Sequence, residues 1–88
     1  MKNYVKYSIY TEDKGNISAM VSMFFDGCTV TNAIGYWKGI QEDSVIITIV
    51  CKDTKQNRDR IEILQKHIKV HNKQESVLVT CEKIKTSF

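Results

Sequence analysis

Tyr36, Trp37 and Lys38 stand side by side ahead of Gly39, and two aromatic planes next to an ammonium are what it takes to hold a base and a phosphate together. Adjacent strand residues face opposite ways, so the same pair also suits a purely structural arrangement, with one ring sealing a core and the other a contact between subunits. Tyr10 and Lys14, near the end of an earlier strand-like segment, are candidates of the same kind, and Arg58 adds a cation at the start of a helical segment. His67 and His71 are four residues apart, a helical spacing that can place two imidazoles on one metal ion. No Glu follows the first His, no third ligand is apparent, and ordinary polar helix positions explain both. Asp59, Glu62, Glu75 and Glu82 could be paired as acid and base, but nothing in the sequence fixes their separation. With no catalytic constellation in view, the expectation is a binding protein rather than an enzyme, with no cofactor.

The elements that must position these residues follow from periodicity. Tyr4 to Tyr10 alternates, with Val5, Tyr7 and Ile9 on one side, and predicts a half-buried strand. Asn16 can cap a helix carrying Ile17, Met20, Val21 and Phe24 at helical spacing, and Asp26-Gly27 is expected to end it. Cys28 to Trp37 reads as a second strand, with Val30, Ile34 and Tyr36 on one face and Ala33, Gly35 and Trp37 on the other. Lys38 to Asp43 is short, polar and contains a glycine, which predicts a loop leading into a third strand over Ser44 to Cys51. Ile61, Leu64 and Ile68 predict a second helix between about Arg58 and His71, capped by Asp53, Thr54 or Asn57. Ser76 to about Lys83 supplies the fourth strand.

The order β-α-β-β-α-β predicts a single α+β domain over residues 1–88, a ferredoxin-like four-stranded antiparallel sheet with both helices on one face. Two helices leave the other face open. Ile46 and Val50 point opposite to Val45, Ile47 and Ile49, and Leu78 opposes Val77 and Val79, so both faces carry large apolar groups. Exposing such a row is a patch that monomers rarely tolerate. Assembly through the sheet is therefore expected, with Ile46, Val50 and Leu78 at the interface. Cys28, Cys51 and Cys81 form no CxxC pair and read as buried, reduced thiols. A formal charge of +3 is too mild for a strong duplex nucleic-acid binder. The first residues lack an apolar h-region and no run is long enough to span a bilayer, which predicts neither a signal peptide nor a membrane segment and a cytoplasmic location.

Tyr36-Trp37-Lys38-Gly39, then Gln41-Glu42-Asp43-Ser44, an apolar strand ending in Lys52 and a helix with Leu64, Ile68 and His71 ahead of Glu75 resemble the CutA family of trimeric, PII-like proteins. The resemblance covers about half of the chain. The family's His-Pro-Tyr-Glu segment is here His71-Asn72-Lys73-Gln74-Glu75, without proline or tyrosine. The resemblance implies a homotrimer, or a multiple of trimers, that binds small ligands, often nucleotides, in clefts between subunits beside the loop at Lys38 to Asp43. On that footing the expected ligand is a small phosphorylated molecule, a nucleotide, held by Tyr36, Trp37 and Lys38 with help from Tyr10, Lys14 or Arg58. One concrete form is a phage protein acting in host cytoplasm that sequesters a nucleotide immune signal. Two alternatives stand beside it: a CutA-like copper-binding protein using His67 and His71, and a protein-interaction module docking through Ile63 and Val70 on the second helix.

Overall fold

The computed structural model describes residues 3–87. In chain order its elements are β1 (Tyr4–Glu12), α1 (Ile17–Ser22), β2 (Thr29–Trp37), β3 (Ile40–Lys52), α2 (Lys55–His71) and β4 (Leu78–Ile84). The strands form one antiparallel sheet in the order β2-β3-β1-β4, so the chain has the ferredoxin-like arrangement that its periodicities predict.

Registry decides the faces. Val5, Tyr7 and Ile9 of β1 lie opposite Cys51, Ile49 and Ile47 of β3, and this side packs under α1 and α2. The core consists of Val5, Tyr7 and Ile9 from β1 and Val45, Ile47 and Ile49 from β3 together with Ile17, Met20 and Val21 from α1, Ile61, Leu64 and Ile68 from α2, and Val77, with Cys51 partly buried against it. Ile9, Ile47, Leu64 and Ile68 are fully shielded from solvent, each contributing about 1.5–3 kcal/mol relative to exposure.

Several local expectations need correction. The loop expected over Lys38 to Asp43 is a two-residue turn: Lys38 and Gly39 both have positive φ, 52° and 78°, as a type I′ hairpin requires. Ile40 to Asp43 thus belong to β3, which runs for 13 residues. α1 ends at Ser22, with Met23 as its C-cap, rather than at Gly27, and the Phe24 and Phe25 amides both donate to the Val21 carbonyl, each at 2.9 Å. Its first turn has no side-chain cap from Asn16, which sits in the left-handed region. α2 begins earlier than expected, and of the three candidate caps Thr54 is the one used, its hydroxyl accepting from the Asn57 amide at 3.1 Å. The cysteines are not all buried: Cys51 is partly buried, while Cys28 and Cys81 are exposed. Cys81 pairs with Tyr7 on the helix side, but β4 is an edge strand that the helices do not fully cover.

The end of α2 is tied to the end of β1. The Gln74 amide donates to the Lys69 carbonyl at 3.1 Å and the Lys73 amide to that of Val70 at 3.2 Å, the paired closure of a Schellman motif, with Lys73 rather than glycine at positive φ. This turn brings Gln74 over Thr11, whose hydroxyl donates to Gln74 Oε1. The buried Asn72 amide donates to Thr11 Oγ1 at 2.9 Å and to the Glu12 carbonyl at 3.0 Å. Replacing Asn72 strands buried acceptors, so Asn72→Ala is expected to cost about 1–3 kcal/mol in urea unfolding. A loss within a few tenths of a kcal/mol would mean that the clamp is not holding these elements together.

Candidate functional site

The face of the sheet away from the helices carries a groove of about 480 Å³. Its position follows from registry. Leu78, Tyr10 and Ile46 are direct cross-strand partners across β4, β1 and β3 and form an apolar row, with Leu78 60% and Tyr10 39% exposed. The next row holds Glu12, Ser44 and Ala33, and beyond it come Glu42 with Gly35 and then Ile40 with Trp37. Trp37, half exposed, stands at the hairpin end of the groove, while Gln74 and Ser76 from the turn before β4 flank the Glu12 side. A smaller hollow of about 190 Å³ continues between Trp37, the two glutamates and residues Lys73 to Ser76.

The floor is made of small residues for a steric reason. A Cβ on Gly35 would lie 2.5 Å from Ser44 Oγ, closer than atoms can approach. The missing side chain leaves room for the serine hydroxyl and keeps the trough open between Trp37 and Ile46.

Electrostatics set this groove apart from a phosphate pocket. Partial burial, then a hydrogen bond to Glu12 and the repulsion of its charge, push the Glu42 carboxyl above the usual carboxylate range, with Lys14 acting the other way. Lys14 Nζ is paired with Glu12 at 3.1 Å, and among the described residues no Lys or Arg lines the larger groove.

The candidates from the sequence are partly brought together. Trp37 and Tyr10 share the open face. Tyr36 lies on the opposite side of the hairpin, its hydroxyl donating to Gln41 Oε1 at 3.2 Å. Lys38 holds its ammonium 5.7 Å from the centre of the Trp37 ring. Arg58 is elsewhere: it pairs with Asp53 at 3.1 Å just beyond the far end of β3, about 40 Å from the hairpin turn at the usual strand rise. There it borders a separate hollow with Val5, Tyr7, Ile61 and Cys81. Burial, with the neighbouring Cys81 thiol second, pushes the Tyr7 phenol up to about 12, so Tyr7 is a neutral hydrogen-bonding group at physiological pH. His67 meets the edge of the Phe24 ring at 5.6 Å and His71 Nδ1 lies 2.8 Å from Asn72 Oδ1. Among the described residues no three His, Cys, Asp or Glu side chains converge as a metal site. Val50 and Leu78 lie exposed on the open face and Ile46 is partly covered there.

Glu12, Glu42, Ser44 and Gln74 were not singled out by sequence reasoning. Once Lys38-Gly39 is taken as a two-residue turn, the alternation of Ile40, Glu42, Ser44 and Ile46 puts Glu42 on the apolar open face, and that was the available signal. Glu12 joins it only through pairing between strands.

Residues 17–88 match the family described as protein of unknown function DUF3574. The chain belongs to that family. No curated protein matches it in sequence. Among solved structures this DUF3574 chain is similar to a phage SAM lyase in complex with S-methyl-5'-thioadenosine, with 20% identity, a TM-score of 0.73 and coverage of 94% of this chain and 83% of that one. It is similar to a DUF3240 family protein from Shewanella baltica OS155, with 13% identity, a TM-score of 0.69 and coverage of 100% and 97%. CutA1 from Oryza sativa follows the same fold with 10% identity, a TM-score of 0.66 and coverage of 99% and 84%. The CutA-like resemblance thus holds at the level of fold, and at these identities the likeness extends no further.

Because the folded chain favours protonated Glu42, the native state holds more proton than the unfolded one between the ordinary glutamate pKa and the raised value, and stability falls as pH rises through that window. Glu42→Gln removes this titration. Thermal unfolding from about pH 4 to about pH 8 is expected to show the variant melting above wild type at neutral pH, with the gap closing towards acid. A variant that melts below wild type at neutral pH contradicts the crowding of the two carboxylates.

Proposed function

We propose that the protein binds a nucleoside-class small molecule in the groove beside Trp37, and that copies of the chain associate through the open face so that the groove becomes a cleft between subunits. The observation that carries this reading is the half-exposed indole set over a glycine-floored trough on the apolar face of the sheet. A base stacked on such a ring gains about 1–3 kcal/mol. The apolar row of Leu78, Tyr10 and Ile46, with Val50 further along, supplies the burial that association needs. A homotrimer or a multiple of trimers is the arrangement proposed, and a site inside the cell goes with it; no helix among the described residues is long and apolar enough to cross a membrane.

The groove charge narrows the ligand. A phosphorylated nucleotide, including a host immune signal that a phage protein would sequester, would meet Glu12 and Glu42 with Lys38 drawn onto Trp37 and Arg58 at the far end. An adenine nucleoside carrying a positive centre, an ammonium or a sulfonium, suits the paired carboxylates better. The phage SAM lyase of the same fold, with its bound S-methyl-5'-thioadenosine, makes S-adenosylmethionine the first compound to test. Its binding would favour ionised Glu42, and so weaken as pH falls through the raised glutamate range.

The second reading is an enzyme. Two crowded carboxylates with one pKa raised are a recurrent acid–base arrangement, and the lyase neighbour keeps this reading beside the binding one. Calorimetric titration with S-adenosylmethionine, S-methyl-5'-thioadenosine and ATP separates the possibilities. The expected result is binding of S-adenosylmethionine in preference to ATP, weakened about 10- to 100-fold by Trp37→Ala. Chromatography of the same mixture decides between the two readings: unchanged S-adenosylmethionine means binding, and a new adenine-containing species that Glu42→Gln abolishes means catalysis. ATP bound more tightly than S-adenosylmethionine, or no nucleoside bound at all, would overturn the proposal.

A further inference from the structure

β2 is an edge strand, and nothing in its sequence blunts that edge. Thr29 to Trp37 contains no charged residue and no proline, and its registry with β3 runs without a bulge over all nine residues. Edge strands ordinarily carry at least one of these guards, because a free row of backbone groups is a template for another strand. The opposite edge, β4, has them in Glu82 and Lys83. The helices stop short of β2, and its helix-side row is exposed: Val30 at 44%, Ile34 at 63% and Tyr36 at 69%.

The turn geometry says which backbone groups are free. In a two-residue type I′ hairpin the flanking residues Trp37 and Ile40 form a hydrogen-bonded pair, and bonded and non-bonded pairs alternate from there. The N–H and C=O groups of Tyr36, Ile34, Asn32 and Val30 therefore point away from β3. They are also the residues whose side chains stand uncovered on the helix side.

We propose that this edge pairs, antiparallel, with β2 of a second copy of the chain about a two-fold axis at Ala33. That register overlaps all nine residues and uses the outward backbone groups of all four of these residues in each strand. On the helix side it places Val30 against Tyr36 of the second copy, and on the open side Thr29 against Trp37. Both are aromatic pairs with β-branched residues, the kind that stabilise neighbouring strands. A strand without charge meets its copy without repulsion, whereas β4 would bring a carboxylate and an ammonium to the junction. The pairing sets a strand of the second copy alongside Trp37 and so gives the groove a wall that one chain lacks. It does not depend on which ligand the groove takes, nor on contact between open faces; beside trimers formed through the open face it leads to an even multiple of trimers rather than to a lone trimer.

Hydrogen exchange and cross-linking test it on the full chain. At high protein concentration the amides of Val30, Asn32, Ile34 and Tyr36 are expected to exchange at least about tenfold more slowly than in dilute solution, a change that contact between open faces alone would not produce. Ala33→Cys, in a background with Cys28→Ser and Cys81→Ser, is expected to form a disulfide-linked dimer under mild oxidation, since a non-bonded antiparallel pair holds its Cα atoms within disulfide reach. Glu82→Cys on the other edge is the control and should remain monomeric on denaturing gels. Ile34→Pro removes one outward donor and leaves the ladder to β3 intact, so it should abolish the slow exchange while the circular dichroism of the fold persists. Exchange independent of concentration would overturn the proposal. So would protected amides without the Ala33→Cys cross-link, which would mean that another strand occupies the edge.

Discussion

Two helices can cover only one side of a four-stranded sheet, and most of what is particular to this protein follows from that constraint. The side chains packed beneath α1 and α2 are mostly β-branched and aliphatic, with Tyr7 among them, and have almost no exposure. Those facing the other way are mixed: apolar at Leu78, Tyr10 and Ile46, paired charges at Lys6 and Glu82, hydroxyls at Ser8, Thr48 and Thr80, and carboxylates at Glu12 and Glu42. A face intended for water would be uniformly polar and a core face uniformly apolar. The mixture suits the proposed interface with a polar pocket at one end, since interfaces bury an apolar centre and keep polar groups where a ligand or solvent enters.

The position of that pocket depends on one short turn. Lys38 and Gly39 take positive φ and carry β3 straight out of the turn, which keeps Ile40, Glu42, Ser44 and Ile46 in phase on the open side. A longer loop would free Glu42 from its alignment with Gly35 and from Glu12. The clamp between Asn72, Gln74 and Thr11 acts from the other side, holding the start of β4 against the end of β1 so that Glu12 has Gln74 beside it. Two local backbone devices, each spending a non-glycine residue at positive φ, thus converge on the same few ångströms. Such strain is retained where the surrounding structure requires it.

Order and faces were legible in the sequence because they depend on periodicity. Val5, Tyr7 and Ile9 alternate, Ile61, Leu64 and Ile68 recur at helical spacing, and Trp37 and Tyr36 face opposite ways as adjacent strand residues must. The groove was legible only in part. Trp37 and Tyr10 stand out as aromatic residues near strand ends, but Glu12 and Glu42 look like ordinary surface acids until pairing between β1 and β3 sets them on one face. Arg58 was a reasonable companion for a phosphate on composition, and only the length of β3 removes it. The cysteines misled for a related reason. A strand-like setting implies burial in the middle of a sheet, but β4 is an edge and Cys28 lies just before another.

Groove charge bears on the proposed open-face association. Two crowded carboxylates beside an apolar row are unfavourable to cover with a second chain unless something compensates their charge, because desolvating an ionised group without a partner costs several kcal/mol. Protonation of Glu42 relieves this in part, and Lys14 relieves it at Glu12. A cationic ligand would do so more fully, filling the pocket while neutralising the wall against which a neighbouring subunit packs. Ligand and subunit would then favour each other's binding, as linkage demands of any two events that share a charge. A phosphate in the same place would oppose both. On the proposed reading, the site electrostatics would therefore couple the choice of ligand to the stability of the assembly.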